Sequence, residues 1–205
     1  MAKKLKAASA ISSLPNILTY ARIAAIPLIF CMLYSRDLAY SNYIACAAFV
    51  LASATDYFDG YLSRRMKSVS EIGRFLDPIA DKLLVSAVLM ALTQTKFASV
   101  FETVLAVVII SREIFVSGLR EYLGNFRLKM PVSRLAKWKT ASQFFAIAFL
   151  VLGCNFKNRF HNSAWDLALF DIYVSGVCLL LLSSLLTILT GWQYLTVALK
   201  YMKGK

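Results

Sequence analysis

The stretch DYFDGYLSRRMKSVSEIGRFLDPIAD, residues 56–81, carries four carboxylates at the margins of two long apolar segments. They are Asp56, Asp59, Asp77 and Asp81. An acidic side chain within a membrane helix costs several kcal/mol, so each of the four indicates a functional site. Four of them at helical spacing need one shared source of compensation, and a pair of divalent cations is the simplest.

The spacing of these acids predicts that they converge. Asp56 and Asp59 are three residues apart and Asp77 and Asp81 are four apart, so each pair lies on one helix face. The two helices follow one another in the chain and run antiparallel, so the end of the first adjoins the start of the second. Ligands that are all oxygen and highly charged suit Mg²⁺ or Mn²⁺. Two such ions are a known device for phosphoryl displacement, because they clamp the attacking and leaving oxygens.

The composition predicts an all-α integral membrane protein. The chain has 205 residues, of which 59% are hydrophobic, and its mean hydropathy is +0.63. A closed barrel would show short alternating strands instead of long apolar blocks. We therefore expect one membrane domain over residues 1–205, a bundle of six transmembrane helices with a short N-terminal interfacial helix at Ala8–Leu14. The expected spans are roughly 16–35, 42–65, 74–95, 98–123, 133–154 and 170–198.

The distribution of charge predicts an orientation. The net charge is +12, but of the 23 Lys and Arg residues all except Arg36, Lys96, Lys157 and Arg159 lie at the termini, in alternate connections or in the adjoining helix ends. This asymmetry is the positive-inside pattern, which places both termini and the four aspartates on the cytoplasmic side. It argues against a nucleic-acid partner and favours attraction to anionic membrane lipids and phosphorylated substrates.

The spacing also carries a resemblance to a known family. The pattern Asp-x-x-Asp-Gly-x-x-Ala-Arg, eight residues, then Gly-x-x-x-Asp-x-x-x-Asp resembles the signature of the CDP-alcohol phosphotransferases. It is matched by Asp56, Asp59, Gly60, Arg64, Gly73, Asp77 and Asp81. The one departure is Ser63, where the signature has Ala, and Ser is small enough to preserve the packing. This family exchanges the CMP of a CDP-linked lipid for an alcohol.

The resemblance implies roles for these residues. Two divalent cations, Mg²⁺ or Mn²⁺, would be bound by Asp56, Asp59, Asp77 and Asp81, and Asp81 would also take the proton of the incoming hydroxyl. The CDP group would contact Asp56, Gly60, Arg64 and Gly73, together with Thr55 and Asn16. Thr55 is equally explained by packing, and Asn16 by capping of the first span. The family also implies a homodimer and a multi-pass location in the cell (inner) membrane.

Three further stretches of sequence narrow the choice of the alcohol that accepts the phosphatidyl group. Pro15–Arg22, Ser111–Ile114 with Arg120–Glu121, and Val132–Ser133 with Lys137–Thr140 look like the corresponding parts of bacterial phosphatidylglycerophosphate synthases. That resemblance implies CDP-diacylglycerol and glycerol 3-phosphate as substrates. A dianionic phosphate needs several cations, and the candidates are Arg112, Arg120, Arg134, Lys137 and Lys139. Glu113 is expected to orient one of the arginines.

Other functions remain open at this point. A member of the same family would carry much of this pattern with inositol phosphate, serine or a second phospholipid as acceptor. A cation or proton transporter would also place acids in membrane helices, but transporters often show repeated halves and mid-membrane sites. Here the acids cluster at one membrane face and no repeat is visible, which favours the transferase.

Overall fold

The computed structural model describes residues 14–34, 40–66, 71–95, 99–125, 134–154 and 164–203. Its side chains are described over 17–34, 40–55, 75–95, 99–124, 135–154 and 167–202. Within those residues the chain forms six α-helices and no β-strand, which confirms the all-α class. The helices are α1 (Leu14–Tyr34), α2 (Ser41–Met66), α3 (Glu71–Thr93), α4 (Val100–Asn125), α5 (Arg134–Gly153) and α6 (Ala164–Lys203).

Each expected span corresponds to one of these helices. The bounds of α1 to α5 agree with the expected ones to within a few residues, because long apolar blocks bounded by polar residues mark helix ends well. The last helix is different: α6 has 40 residues, begins at Ala164 and ends at Lys203, and so extends beyond both expected ends. Most of the expected interfacial helix lies outside the described residues, and Leu14 begins α1.

Several helices have the length and composition of membrane spans. Among the described residues these are Ile17–Tyr34 in α1, Leu135–Gly153 in α5 and Leu167–Met202 in α6, and α2 contains a shorter apolar run, Ser41–Thr55. Helices α2, α3 and α4 have 26, 23 and 26 residues, which is long enough for the about 20 residues that a span needs. Their charged residues lower the mean hydropathy, and many of those charges belong to the predicted sites.

The described structure falls into two compact units. The first spans Met1–Leu92 and contains α1, α2 and α3, with α1 packed along α2. Its buried side chains include Ile29 of α1, Phe49 of α2 and Leu84 of α3. The second spans Thr93–Lys205, and in it α6 packs against both α5 and α4. The long helix α6 is therefore the common partner of the two helices that carry the basic candidates.

The start of α4 is fixed by a reciprocal cap and by a contact with α6. The backbone N–H of Ser99 donates to Glu102 Oε2 at 3.0 Å, and the backbone N–H of Glu102 donates to Ser99 Oγ at 3.4 Å. This is the capping-box arrangement, which satisfies backbone donors at a helix start. The hydroxyl of Tyr173 on α6 donates to the other carboxylate oxygen, Glu102 Oε1, at 2.6 Å. One carboxylate thus both caps α4 and ties it to α6.

Glycines allow α5 and α6 to approach closely. A Cβ placed on Gly153 would lie 2.7 Å from Tyr173 Cβ and 2.8 Å from Tyr173 Cα. A Cβ on Gly176 would lie 3.0 Å from the backbone nitrogen of Leu150. Small residues at helix contacts are typical of membrane proteins, where association depends on close packing more than on the hydrophobic effect.

Replacing Gly153 by Ala is therefore expected to destabilise the second unit. The clash involves backbone atoms of Tyr173, which cannot move aside without shifting α6, so overpacking should cost about 1–3 kcal/mol. Thermal unfolding in detergent would show this as a lower Tm than wild type. The matched control is Gly118→Ala on α4, where nothing lies within 4 Å of the added Cβ. Equal Tm values for the two variants would contradict the close approach.

Candidate active site

Two of the predicted metal ligands are described on α3. Asp77 is partly buried and Asp81, one turn later, is exposed. Asp77 Oδ1 accepts a hydrogen bond from the hydroxyl of Thr19 on α1, and Thr19 is itself only 1% exposed. A buried hydroxyl that donates to a carboxylate fixes the carboxylate's orientation and leaves its other oxygen available. The carboxylate of Asp77 is therefore held in place from α1.

A second contact joins α1 to α2 just before the first aspartate pair. Arg22, one turn after Thr19, is 1% exposed, and its Nε donates to the backbone carbonyl of Ala52 at 3.2 Å. The hydroxyl of Thr55 donates to the same carbonyl at 2.6 Å. In this structure the Thr55 hydroxyl thus serves the helix backbone, one residue before Asp56. One face of α1 contacts both helices that carry the aspartates.

The remaining predicted nucleotide and metal residues are placed only by their backbone. They lie on α1 (Asn16), on α2 (Asp56, Asp59, Gly60, Arg64) and on α3 (Gly73), outside the described side chains. Their positions confirm that the two aspartate pairs lie near the end of one helix and the start of the next. The convergence of the four carboxylates, the binding of CDP and the catalytic role of Asp81 stay predictions.

The second unit contains a polar cluster centred on Arg112 of α4. Its guanidinium makes three hydrogen bonds: Nε donates to the backbone carbonyl of Thr187 at 3.1 Å, Nη2 to Thr190 Oγ1 at 2.7 Å and Nη1 to Glu113 Oε1 at 3.2 Å. Two of these three acceptors belong to α6. Arg112 is therefore oriented by fixed partners and does not extend freely toward solvent.

Glu113 connects Arg112 to a lysine on α5. Its Oε1 accepts hydrogen bonds from both Arg112 Nη1 and Lys139 Nζ, which forms two ion pairs on one oxygen. The side chains of Arg112, Glu113 and Lys139 are 13%, 18% and 6% exposed. The prediction that Glu113 orients one of the arginines is in agreement with this geometry, and the structure adds Lys139 as its second partner.

Arg120 lies two turns further along α4 and contacts the same helix. Its Nη2 donates to the hydroxyl of Tyr194 on α6 at 2.7 Å. The guanidinium carbon of Arg120 lies 4.9 Å from the centre of the Tyr194 ring, and that of Arg112 lies 5.7 Å from it. An aromatic face attracts cations, so one ring supports two guanidinium groups.

Three of the five residues predicted to bind the acceptor lie in this cluster, and the other two are not described in it. Arg112, Arg120 and Lys139 are brought together through Glu113 and Tyr194. Lys137 is exposed, and because it is two residues from the buried Lys139 it lies on a different side of α5. Arg134 begins α5, and its side chain lies outside the described residues.

Sequence reasoning missed the contribution of α6. Thr187, Thr190, Gly191 and Tyr194 are spaced by three, four and seven residues from the first, which places them on one helix face. Polar residues on one face of an otherwise apolar membrane helix typically point toward neighbouring helices. That pattern was visible in the sequence and would have indicated a polar contact for α4.

The cluster is rich in positive charge. Arg112, Arg120 and Lys139 are positive, and Glu113 forms ion pairs with two of them, Arg112 and Lys139. Several cations close together attract an anion. The arrangement is chemically suited to a dianionic phosphate.

Comparison with known proteins identifies the family. A model of the CDP-alcohol phosphatidyltransferase family matches residues 12–189. The chain belongs to this family. The match includes both aspartate pairs, the basic residues of α4 and α5, and Thr187, and it ends before Thr190.

Bacterial CDP-alcohol phosphatidyltransferases resemble the chain along nearly their whole length. A Rickettsia bellii protein is 41% identical over 92% of this chain and 97% of its own. A Cereibacter sphaeroides protein is 34% identical over 94% and 98%, and a Bacillus subtilis protein is 34% identical over 89% and 93%. All three are named CDP-diacylglycerol–glycerol-3-phosphate 3-phosphatidyltransferase.

CDP-alcohol phosphatidyltransferases generally depend on divalent cations, and the described donors suit such ions. Asp77 and Asp81 present carboxylate oxygens from one face of α3, the donor type that Mg²⁺ and Mn²⁺ prefer. Within the part of the chain whose side chains are described, no three acidic, His or Cys residues come together, and Asp56 and Asp59 are not in that part. The donor chemistry fits, and the complete ligand set stays a prediction.

Proposed function

We propose that the chain transfers the phosphatidyl group of CDP-diacylglycerol to glycerol 3-phosphate and releases phosphatidylglycerophosphate and CMP. The observation that carries this is the 34–41% identity, over about nine tenths of the chain, to bacterial proteins named for that reaction. The positively charged cluster of α4, α5 and α6, in which Arg112 and Lys139 are largely buried, supports it independently, because it suits an acceptor that brings its own phosphate.

The nucleotide end of the site is assigned to α2 and α3. Asp56, Asp59, Asp77 and Asp81 would hold two divalent cations, Mg²⁺ or Mn²⁺. The bound ions would supply positive charge to the diphosphate as the bond between its bridging oxygen and the phosphatidyl phosphorus breaks. The hydrogen bond from Thr19 keeps the Asp77 carboxylate oriented. CDP itself is assigned to Asp56, Gly60, Arg64 and Gly73, with Asn16 and Thr55 as further contacts.

Asp81 is assigned the proton transfer. Its carboxylate accepts the proton of the acceptor hydroxyl as that oxygen forms a bond to the phosphatidyl phosphorus. The bond between this phosphorus and the diphosphate bridging oxygen breaks, and CMP leaves with the electron pair. Asp81 is exposed, as a group that must meet a soluble acceptor requires. A carboxylate near strong positive charge is a weak base, so its contribution depends on position.

The acceptor phosphate is assigned to the basic residues of α4 and α5. Arg112, Arg120 and Lys139 supply three cations that the structure holds in place through Glu113 and Tyr194. Lys137 and Arg134 are assigned to the same phosphate from the start of α5. Arginine is suited to this role because its planar fork binds two phosphate oxygens at once.

The charge pattern supports a location for the reaction. Basic residues concentrated at the termini and in alternate connections favour a multi-pass protein of the bacterial cell membrane with both termini and the active site on the cytoplasmic side. Glycerol 3-phosphate is soluble and CDP-diacylglycerol is a lipid, so a site at the membrane surface gives access to both. We further propose a homodimer, as the family resemblance implies.

Release of CMP from purified protein tests this assignment. The protein in detergent, with CDP-diacylglycerol and Mn²⁺ or Mg²⁺, is offered glycerol 3-phosphate, inositol phosphate, serine or no acceptor. We expect CMP with glycerol 3-phosphate alone, because the cation cluster needs a phosphate and the relatives use this one. Release of CMP with inositol phosphate and not with glycerol 3-phosphate would show that the proposed acceptor is wrong. Folded protein that releases no CMP with any alcohol would refute the proposed function.

A further inference from the structure

One face of α6 forms the back of the cation cluster. Thr187, Thr190, Gly191 and Tyr194, which we call the α6 cradle, are all buried. Thr190 Oγ1 also lies within donating distance of two carbonyls of its own helix, 2.7 Å from that of Leu186 and 3.2 Å from that of Thr187. While its hydrogen is donated to the helix backbone, this oxygen accepts from Arg112 Nη2. The contacts together hold the hydroxyl between the α6 backbone and Arg112.

Gly191 provides the space in which Arg112 lies. A Cβ at this position would be 3.2 Å from Arg112 Cγ and 3.4 Å from Arg112 Nε. Any side chain here would push the arginine stem away from α6 and disturb the bond from Nε to the Thr187 carbonyl. The absence of a side chain at Gly191 therefore lets the guanidinium sit against the helix.

These contacts leave part of the guanidinium for a ligand. A guanidinium carries five N–H donors in a rigid fork. Nε, one hydrogen of Nη1 and one of Nη2 are used by Thr187, Glu113 and Thr190. These three bonds leave one hydrogen on each Nη, and these two donors are available to phosphate oxygens. The cradle sets the direction in which that pair points.

Tyr194 places the second guanidinium relative to the first. Its hydroxyl accepts from Arg120 Nη2, and its ring lies against both arginines. Two guanidinium groups on one ring repel each other, and an anion bound by both relieves that repulsion. The ring and hydroxyl of Tyr194 together hold both cations against α6.

We propose that Thr190, Gly191 and Tyr194 are positioning residues that select a phosphorylated acceptor by aiming Arg112 and Arg120 at its phosphate. This inference rests on the proposed function, and it assigns acceptor choice to α6 in addition to the basic residues themselves.

Substitution of Thr190 tests the inference. Thr190→Val keeps the shape and removes the acceptor oxygen, so the KM for glycerol 3-phosphate should rise about tenfold, as loss of a hydrogen bond to a charged group predicts. The KM for CDP-diacylglycerol should stay within about twofold, since the cradle's described contacts are with Arg112 and Arg120, which are assigned to the acceptor. Thr190→Ser restores the oxygen and should return the KM for glycerol 3-phosphate close to wild type.

The matched control lies on the same helix. Thr196 is exposed, and its hydroxyl donates to the backbone carbonyl of Gln193 at 2.9 Å, so Thr196→Val removes an intrahelical bond without touching the cluster. Both KM values should be unchanged in this variant. Tyr194→Phe keeps the ring and removes the bond to Arg120, and it should raise the KM for glycerol 3-phosphate in the same selective way.

The outcomes separate this inference from the proposed function. If wild-type protein releases no CMP with glycerol 3-phosphate, the proposed function fails. If wild type is active and Thr190→Val and Tyr194→Phe keep its KM, the cradle has no role in acceptor binding. An equal rise in both KM values would mean general loosening and would also overturn the inference. Should Thr190→Val fail to fold, the KM values of Tyr194→Phe decide whether the cradle acts in acceptor binding. A second readout is the rise in Tm on addition of glycerol 3-phosphate without CDP-diacylglycerol, which should be smaller for Tyr194→Phe than for wild type.

Discussion

Asp81→Asn is expected to lower kcat by roughly 100- to 10,000-fold, the range that general acid–base groups contribute. Asparagine has nearly the shape of aspartate and keeps one oxygen that can face a cation, but it cannot accept the proton of the acceptor hydroxyl. Binding of CDP-diacylglycerol should therefore persist while turnover is lost. CMP release under saturating substrates measures kcat. The KM for CDP-diacylglycerol, or a direct lipid-binding measurement, shows whether binding persists.

Two comparisons make this result specific to Asp81. Asp171→Asn changes an exposed acid on α6 that has no assigned role, and its rate should stay near wild type. Raising Mn²⁺ separates the two roles assigned to Asp81, because a lost ligand is compensated by more metal and a lost proton acceptor is not. A variant that keeps a near wild-type rate, or that recovers fully at high Mn²⁺, would remove Asp81 as the base.

The helices were predictable because their physical cause is local. A block of apolar residues long enough to cross a membrane, bounded by polar residues, needs no knowledge of the partner helices. The expected extent of α6 was too short at both ends, since isolated charged residues such as Asp166 and Lys200 interrupt the apolar signal there without ending the helix. Composition alone also understates α2 to α4, because the charges at Asp56, Asp77 and Arg112 reduce the very signal by which spans are recognised.

The candidate site was predictable only in part because its contacts are not local. Spacing indicated that Asp77 and Asp81 share a face, and resemblance indicated that Arg112 and Lys139 bind an anion. Neither spacing nor resemblance predicts which side chain forms a hydrogen bond with Asp77 or with Arg112. The partners are distant in the sequence: Thr19 lies 58 residues from Asp77, and Thr190 lies 78 residues from Arg112. Such pairings depend on how α1 meets α3 and how α4 meets α6, which a single sequence does not specify.

Burial also separates residues that the sequence treats alike. Lys137 and Lys139 are both basic, near one another and near the start of α5, so both were assigned to the acceptor. In the structure Lys139 is buried against Glu113 and Lys137 is exposed. Helical periodicity explains the difference, because residues two apart lie on different sides of a helix. We accordingly expect the larger share of phosphate binding from Lys139.

Arg112→Ala is expected to raise the KM for glycerol 3-phosphate by about 10- to 150-fold, which corresponds to the roughly 1.5–3 kcal/mol of a hydrogen bond to a charged group. The variant should still fold, because Glu113 keeps its ion pair with Lys139 and is not left as an uncompensated charge. Thermal unfolding checks the fold, and initial rates of CMP release over a range of glycerol 3-phosphate concentrations give KM and kcat separately.

Arg112→Lys shows whether the effect comes from charge or from geometry. Lysine keeps the positive charge, but it lacks the fork that contacts Thr187, Thr190 and Glu113 while presenting two further donors. Its KM should therefore fall between wild type and Arg112→Ala. Lys200→Ala removes an exposed positive charge from the same unit and should leave both KM values unchanged. If Arg112→Ala behaves like Lys200→Ala, the α4 arginine has no part in binding the acceptor, and the phosphate must be held by other cations of the chain.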